Sequence, residues 1–169
     1  MAKEIERKFL VKSNAYRLLA EAVEYRQGYI CNTSKKVVRI RIAGSKAFIT
    51  IKSASFGDTR DEFEYEIPHG DALQMLDKLC EKPIIQKTRR VIPFSNKTWV
   101  VDEFEGENEG LVVAEIELLF SEEPFVIPAW IGDEVTGDSR YYNSNLVLNP
   151  FKDWTNLTQS GLAGNKHQD

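Results

Sequence analysis

Glu62-Phe63-Glu64-Tyr65-Glu66-Ile67 alternates acid and hydrophobe over six residues without a break. Strict alternation marks a β-strand with two unlike faces, because successive side chains leave the pleat on opposite sides. One face is all carboxylate; the other is Phe63, Tyr65 and Ile67. The exposed face of an ordinary antiparallel sheet carries a loose polar mixture. Carboxylates in file, about 6.6 Å apart at a rise of ~3.3 Å per residue, need something opposite them.

The rest of the chain supplies it. Strands of period two are expected near 3–10, 25–31, 37–43, 46–53, 60–67, 84–92, 97–104 and 111–120. Their polar positions are nearly all charged and are sorted by strand. The first carries Glu4, Glu6 and Lys8 against Ile5 and Phe9, and the third Arg39 and Arg41 against Val38, Ile40 and Ile42. The fourth ends its polar face at Lys52, the sixth carries Lys87 and Arg89, and the eighth carries Glu115 and Glu117. Like charges at this spacing repel unless a multivalent anion sits between the cations or a divalent cation between the acids. A solvated meander accounts for any one such strand, but poorly for six that each keep one charged and one apolar face. The pattern implies an α+β fold, an eight-stranded antiparallel closed β-barrel with the charges inside and helices packed outside. In such a barrel the empty cation cluster would hold unrelieved repulsion.

Helices are expected from Ser13 or Asn14 to about Glu24, and from Asp71 to Cys80 with Leu73, Leu76, Leu79 and Cys80 as the apolar stripe. Short helices are expected within 121–149, a stretch that holds Pro124, Pro128, Gly132 and Gly137. Ala43-Gly44-Ser45 reads as a hairpin link. Residues 1–154 then form one domain, and the polar, aromatic-free stretch 155–169 a disordered tail. Trp99, Trp130 and Trp154 read as packing residues, and Glu66, just before Pro68, as solvent-exposed.

Composition narrows the chemistry. A net charge of −4 argues against binding long nucleic acid. No apolar run is long enough to cross a membrane, and no apolar stretch follows the charged start Met1-Ala2-Lys3-Glu4, so a cytoplasmic location is expected. Cys31 and Cys80 are the only cysteines and read as free thiols. With His69 and His167 the only imidazoles, chemistry falls to carboxylates, cations and a bound metal.

These motifs, in this order, resemble the CYTH superfamily, the triphosphate tunnel metalloenzymes. Glu4-Ile5-Glu6-Arg7-Lys8 is similar to its ExExK signature, Arg39-Ile40-Arg41 to its RxR strand and Thr50-Ile51-Lys52 to its following lysine. Arg60-Asp61-Glu62-Phe63-Glu64, Lys87-Thr88-Arg89, Glu115-Ile116-Glu117 and Gly137-Asp138-Ser139-Arg140-Tyr141 resemble its later segments. The resemblance runs from about residue 3 to 149 and is strongest to the short bacterial inorganic triphosphatases.

It implies that Lys8, Arg39, Arg41, Lys52, Lys87, Arg89 and Arg140 bind substrate phosphates. It makes Glu4, Glu6, Glu115 and Glu117 ligands of Mg²⁺ or Mn²⁺, with Glu62, Glu64 and Asp102 as further acids of the metal set. Water would attack in line with the terminal phosphorus, oriented by Glu4 or Glu115, both of which stay candidates. Tyr29 resembles a tyrosine at the tunnel mouth, and reads equally as a strand aromatic. The implied partner is a small polyphosphate, with no nucleic acid or membrane, and the protein a monomer or homodimer. Class IV adenylate cyclase, thiamine triphosphatase and a non-catalytic polyphosphate-binding module remain alternatives, since membership does not name the substrate.

Overall fold

Residues 5–54 and 61–154 are described by the computed structural model, and among them nine strands form one antiparallel sheet. They are β1 (Ile5–Val11), β2 (Val23–Asn32), β3 (Lys36–Ala43), β4 (Lys46–Ser53), β5 (Glu62–Glu66), β6 (Ile85–Phe94), β7 (Lys97–Phe104), β8 (Val112–Leu118) and β9 (Ile131–Glu134). Their order across the sheet is β5-β4-β3-β2-β6-β7-β8-β1-β9. Each of the eight expected strands is present; the start of the first and the turn at 55–60 lie outside the described residues, as does 155–169.

The sheet is open, and the expected eight-stranded closed barrel is corrected on that point. Closure would require β1 to pair with β5. Instead β9 pairs with the free edge of β1, with Phe9 opposite Glu134 and Val11 opposite Ile131. Among the described residues β5 hydrogen-bonds to β4 alone. Four residues between prolines and glycines carry too little alternation to announce a strand, so β9 was not foreseen.

Register puts the charges on one face. Lys8 lies opposite Glu115 and Glu6 opposite Glu117 across β1–β8. Arg39 lies opposite Thr50 across β3–β4, and Thr50 opposite Glu64 across β4–β5. The other face carries the core. Trp99 is fully buried, packed edge-on to Phe9, Phe125 and Trp130 with ring centroids 5.5–6.0 Å apart. Trp154 packs on Tyr141 and Phe151, so all three tryptophans pack as expected.

Two helical expectations need correction. Residues 14–24 hold only a 3-10 turn, Ala15–Leu18, before β2 begins at Val23. Tyr16 is its one buried residue, while Leu18 and Leu19 face outward. A helix that long needs a continuous apolar stripe to dock, and propensity alone does not hold it. Helix α1 (His69–Lys78) exists, but its buried line is Ala72, Leu76 and Cys80, with Leu73 and Leu79 exposed. The i, i+4 line with two small residues lets α1 lie close on β2 at Gly28, where a Cβ would come within 2.8 Å of Cys80. The expected short helices within 121–149 are a 3-10 turn, Ser139–Tyr141, and α2 (Asn143–Leu148). No helix among the described residues is long and apolar enough to cross a membrane.

Candidate active site

The charged face curls around a cavity of about 770 Å³. Seven strands contribute to its wall: Glu6 and Lys8 from β1, Tyr29 from β2, Arg39 and Arg41 from β3, Lys52 from β4, Glu62 and Glu64 from β5, Lys87 and Arg89 from β6, and Glu115 from β8. Period-two alternation is what delivers them, since every inward residue is two positions from the next. A hollow of about 360 Å³ adjoins at Tyr29, Arg39 and Lys52. Another of about 460 Å³ adjoins at Glu6, Arg89 and Glu115, and Glu117 lines only that one.

The cations are already paired. The Lys8 ammonium donates to Glu115, and Lys52 Nζ lies 3.0 Å from Glu62 Oε2. Arg41 and Arg39 reach Glu64 at 3.3 and 3.5 Å. Asp102 accepts from Lys87 Nζ and, through both oxygens, from Arg89, all at 2.7 Å. With Lys8 also 3.9 Å from Glu6, six cations share five carboxylates. The expected unrelieved repulsion is therefore wrong: strands of opposite sign are neighbours or near-neighbours, so acids stand among the bases.

Burial shapes the protonation of these groups. It draws the Arg41 guanidinium down from its ordinary value, reinforced by Arg39 and opposed by Glu64. It likewise draws down the Lys87 ammonium, which Asp102 helps to keep charged. Burial also pushes Asp102 upward, but the Lys87 charge and the Arg89 hydrogen bonds outweigh it and hold the carboxyl at about 2. The Tyr29 phenol is raised by burial; its oxygen accepts from Gln27 Nε2 at 3.1 Å.

Two described site residues stand apart from the cavity wall, and a third falls outside the described residues. Arg140 is off the cavity wall, folded onto Asp138 at 2.6 Å and lying over Tyr141 and Trp154. Asp102 is buried beneath the wall. Glu4 lies outside the described residues. Glu66 is exposed and 3.6 Å from Lys46, as its position before Pro68 indicated.

Among the described residues no three acidic, His or Cys side chains converge as a metal-holding group. The donor chemistry for a hard cation is nevertheless concentrated on one strand pair, with Glu6 opposite Glu117 and Glu115 two positions along β8 on the same face. These oxygen donors suit a hard divalent cation, whereas the Asp102 carboxylate is taken up by Lys87 and Arg89.

Sequence reading gave no role to Thr50, Gln27, Thr136, Tyr142, Asn143 or Ser144, and took from the Gly137–Tyr141 motif Arg140 rather than Gly137, which is the one that lines the wall. Thr50 and Gln27 were within reach, because each is two positions from an identified inward residue. The segment from Thr136 to Ser144 has no periodic signature. Gly137 takes φ +82 there, a turn conformation that favours glycine.

Comparison with known proteins agrees with the resemblance in the motifs. The family model described as the CYTH domain matches residues 2–145. A protein of Acetivibrio thermocellus named inorganic triphosphatase is 55% identical over 154 residues, covering 91% of this chain and 99% of that protein. One of the same name from Nitrosomonas europaea is 36% identical over 153 residues, covering 86% and 97%. The crystal structure of the inorganic triphosphatase NE1496 matches with a TM-score of 0.70 at 35% identity, over 88% of this chain and 96% of that one. With the family model spanning nearly the whole described sheet and the relatives covered almost end to end, this chain belongs to the CYTH domain family.

Proposed function

We propose that the protein hydrolyses inorganic triphosphate in this cavity, with Mg²⁺ or Mn²⁺ as cofactor. The observation that carries the proposal is the pair Arg39 and Arg41. Both line the cavity, yet they reach the carboxylate they share, Glu64, only at 3.5 and 3.3 Å. Phosphate oxygens would offer both guanidiniums charge-assisted bonds of about 2.7–2.9 Å. Two relatives named for triphosphate hydrolysis, at 55% and 36% identity, support the same substrate.

In this reading Arg39 and Arg41 hold one end of the substrate through paired N–H donors, and Lys8, Lys52, Lys87 and Arg89 hold the remaining oxygens as fixed charges. Glu62 and Glu64 release Lys52 and the arginines as phosphate arrives. Glu4, Glu6, Glu115 and Glu117 are the residues that would hold the metal, whose chemistry is to polarise a phosphoryl oxygen and neutralise charge developing on it. Glu4 or Glu115 orients the attacking water, and Tyr29 lines the approach. The ligand is then a small polyphosphate met in the cytoplasm.

The test is phosphate release by the purified protein from triphosphate, ATP and thiamine triphosphate, with Mg²⁺ or Mn²⁺ and with chelator. Triphosphate is expected to be the best substrate, with activity lost in chelator. Cyclic AMP as the main product from ATP, or full activity after metal removal, would overturn the proposal.

A further inference from the structure

Among the acids that the motifs assign to the metal, Asp102 is held unlike the rest. Its carboxylate is 2% exposed and takes no part in the cavity wall. It stands on β7 directly opposite Arg89. Oδ1 accepts from Arg89 Nε, and Oδ2 from Arg89 Nη2 and Lys87 Nζ, each at 2.7 Å. Three of roughly four lone-pair sites on the carboxylate are thus taken by charged donors, and none of it faces the cavity.

What the contacts leave over is informative. An ammonium has three protons. Lys87, its side chain 1% exposed at the edge of the cavity, directs one to Asp102 and one to Asn143 Oδ1, 3.0 Å away on α2. The ammonium lies 5.4 Å from the Phe104 ring centroid, and its third proton meets no hydrogen-bond acceptor among the described residues. Arg89 uses Nε and Nη2 on Asp102 and lies 5.0 Å from the Tyr25 ring centroid, which leaves Nη1 for the cavity. Two long, rotamer-rich side chains are therefore each fixed with a donor to spare. Preorganised donors bind better because less freedom is lost on binding.

We infer that Asp102 and Asn143 are positioning residues for the phosphate-binding pair Lys87 and Arg89, and that Asp102 is not a metal ligand. The inference rests on the proposed triphosphate site. Asp102→Asn puts an amide N–H against one of the two cations and so displaces the pair; Asn143→Ala frees only Lys87.

The experiment uses the full chain. Triphosphate affinity is measured by calorimetry without metal, and Mn²⁺ affinity by paramagnetic resonance of free Mn²⁺ without triphosphate. Asp102→Asn is expected to weaken triphosphate binding by about tenfold or more, and Asn143→Ala by about threefold to fivefold. Mn²⁺ affinity stays within about twofold of wild type in both, and KM for triphosphate rises more than kcat falls. Weakened Mn²⁺ binding with intact triphosphate binding in Asp102→Asn overturns the inference, as does unchanged triphosphate affinity in both variants. If circular dichroism shows Asp102→Asn unfolded, Asn143→Ala decides, and wild-type triphosphate affinity there overturns it. Wild-type protein that fails to bind triphosphate removes the proposed function and this inference together; wild-type binding with unmoved variants removes the inference alone.

Discussion

Thr50 faces Glu64 across the β4–β5 pair, and its hydroxyl donates to Glu64 Oε2 at 2.8 Å. Arg39 stands opposite Thr50 on β3 and donates to the same hydroxyl at 3.2 Å. Arginine, threonine and glutamate therefore form one row across three strands. The guanidinium–carboxylate separations of 3.3 and 3.5 Å exceed the roughly 2.7–2.9 Å of a strong charge-assisted bond. Glu64 is a loosely held internal anion, kept near the arginines by a neutral tether.

Removing that anion is expected to help metal-free binding. Glu64→Gln should tighten triphosphate by about fivefold, the worth of a partly solvated ion pair of about 1 kcal/mol. Calorimetry in chelator measures it; weaker binding would mean that Glu64 supports the ligand rather than competing with it.

Arg39→Ala and Arg41→Ala are expected to act the other way. Each removes charge-assisted contacts worth about 1.5–3 kcal/mol, so affinity falls by about 10–150-fold. Glu66→Gln, on the same strand as Glu64 but off the cavity wall, should leave kinetics unchanged. Wild-type behaviour of both arginine variants would mean that the charged face is only solvated surface.

Glu4→Gln and Glu117→Gln are expected to remove most turnover while leaving metal-free triphosphate affinity within about threefold of wild type, because neither supplies a cation to the substrate. Parallel turnover and binding assays separate the two effects. Equal loss of both would put these acids in the binding cluster.

Acid should weaken the metal-free fold in part through Asp102, whose carboxyl lies at about 2 rather than its ordinary 3.8. A depressed carboxyl stabilises the native state above its unfolded value, and that stability drains away as pH falls through the folded one. The window is about pH 4 to 2, and the contribution is about 2 kcal/mol. Melts of wild type and Asp102→Asn from pH 7 to 2.5 should show a gap in Tm that narrows below about pH 4; a constant gap would contradict the ion pairing.

Triphosphate without metal should raise Tm. At a hundredfold excess over Kd, linkage gives about 2.7 kcal/mol, or roughly 5–11 °C for a chain of this size. Because the cations are already paired, the rise comes from ligand binding alone and not from relief of stored repulsion. A shift no larger than chloride produces at matched ionic strength would remove the binding site from this face.

Much of the site was legible because strand geometry ties side-chain direction to sequence parity. Arg39 and Arg41, Glu62 and Glu64, and Lys87 and Arg89 each fall two apart, and each pair reaches the same cavity. Parity says nothing of depth. The family resemblance gave Asp102 the same standing as Glu115, although one is buried in an ion-pair network and the other borders the cavity. It was silent on Asn143, which reaches Lys87 from a short helix 56 positions away.

The sequence by itself determined which faces are charged, which are apolar and in what order the strands run, because alternation is a local property of the extended chain. Only the tertiary structure decided that β9 takes the edge of β1 and that each cavity cation meets a carboxylate. Those outcomes depend on edges, register and distances between residues remote in sequence. Pairing energy at that range is set by how the sheet curls, which no local pattern encodes.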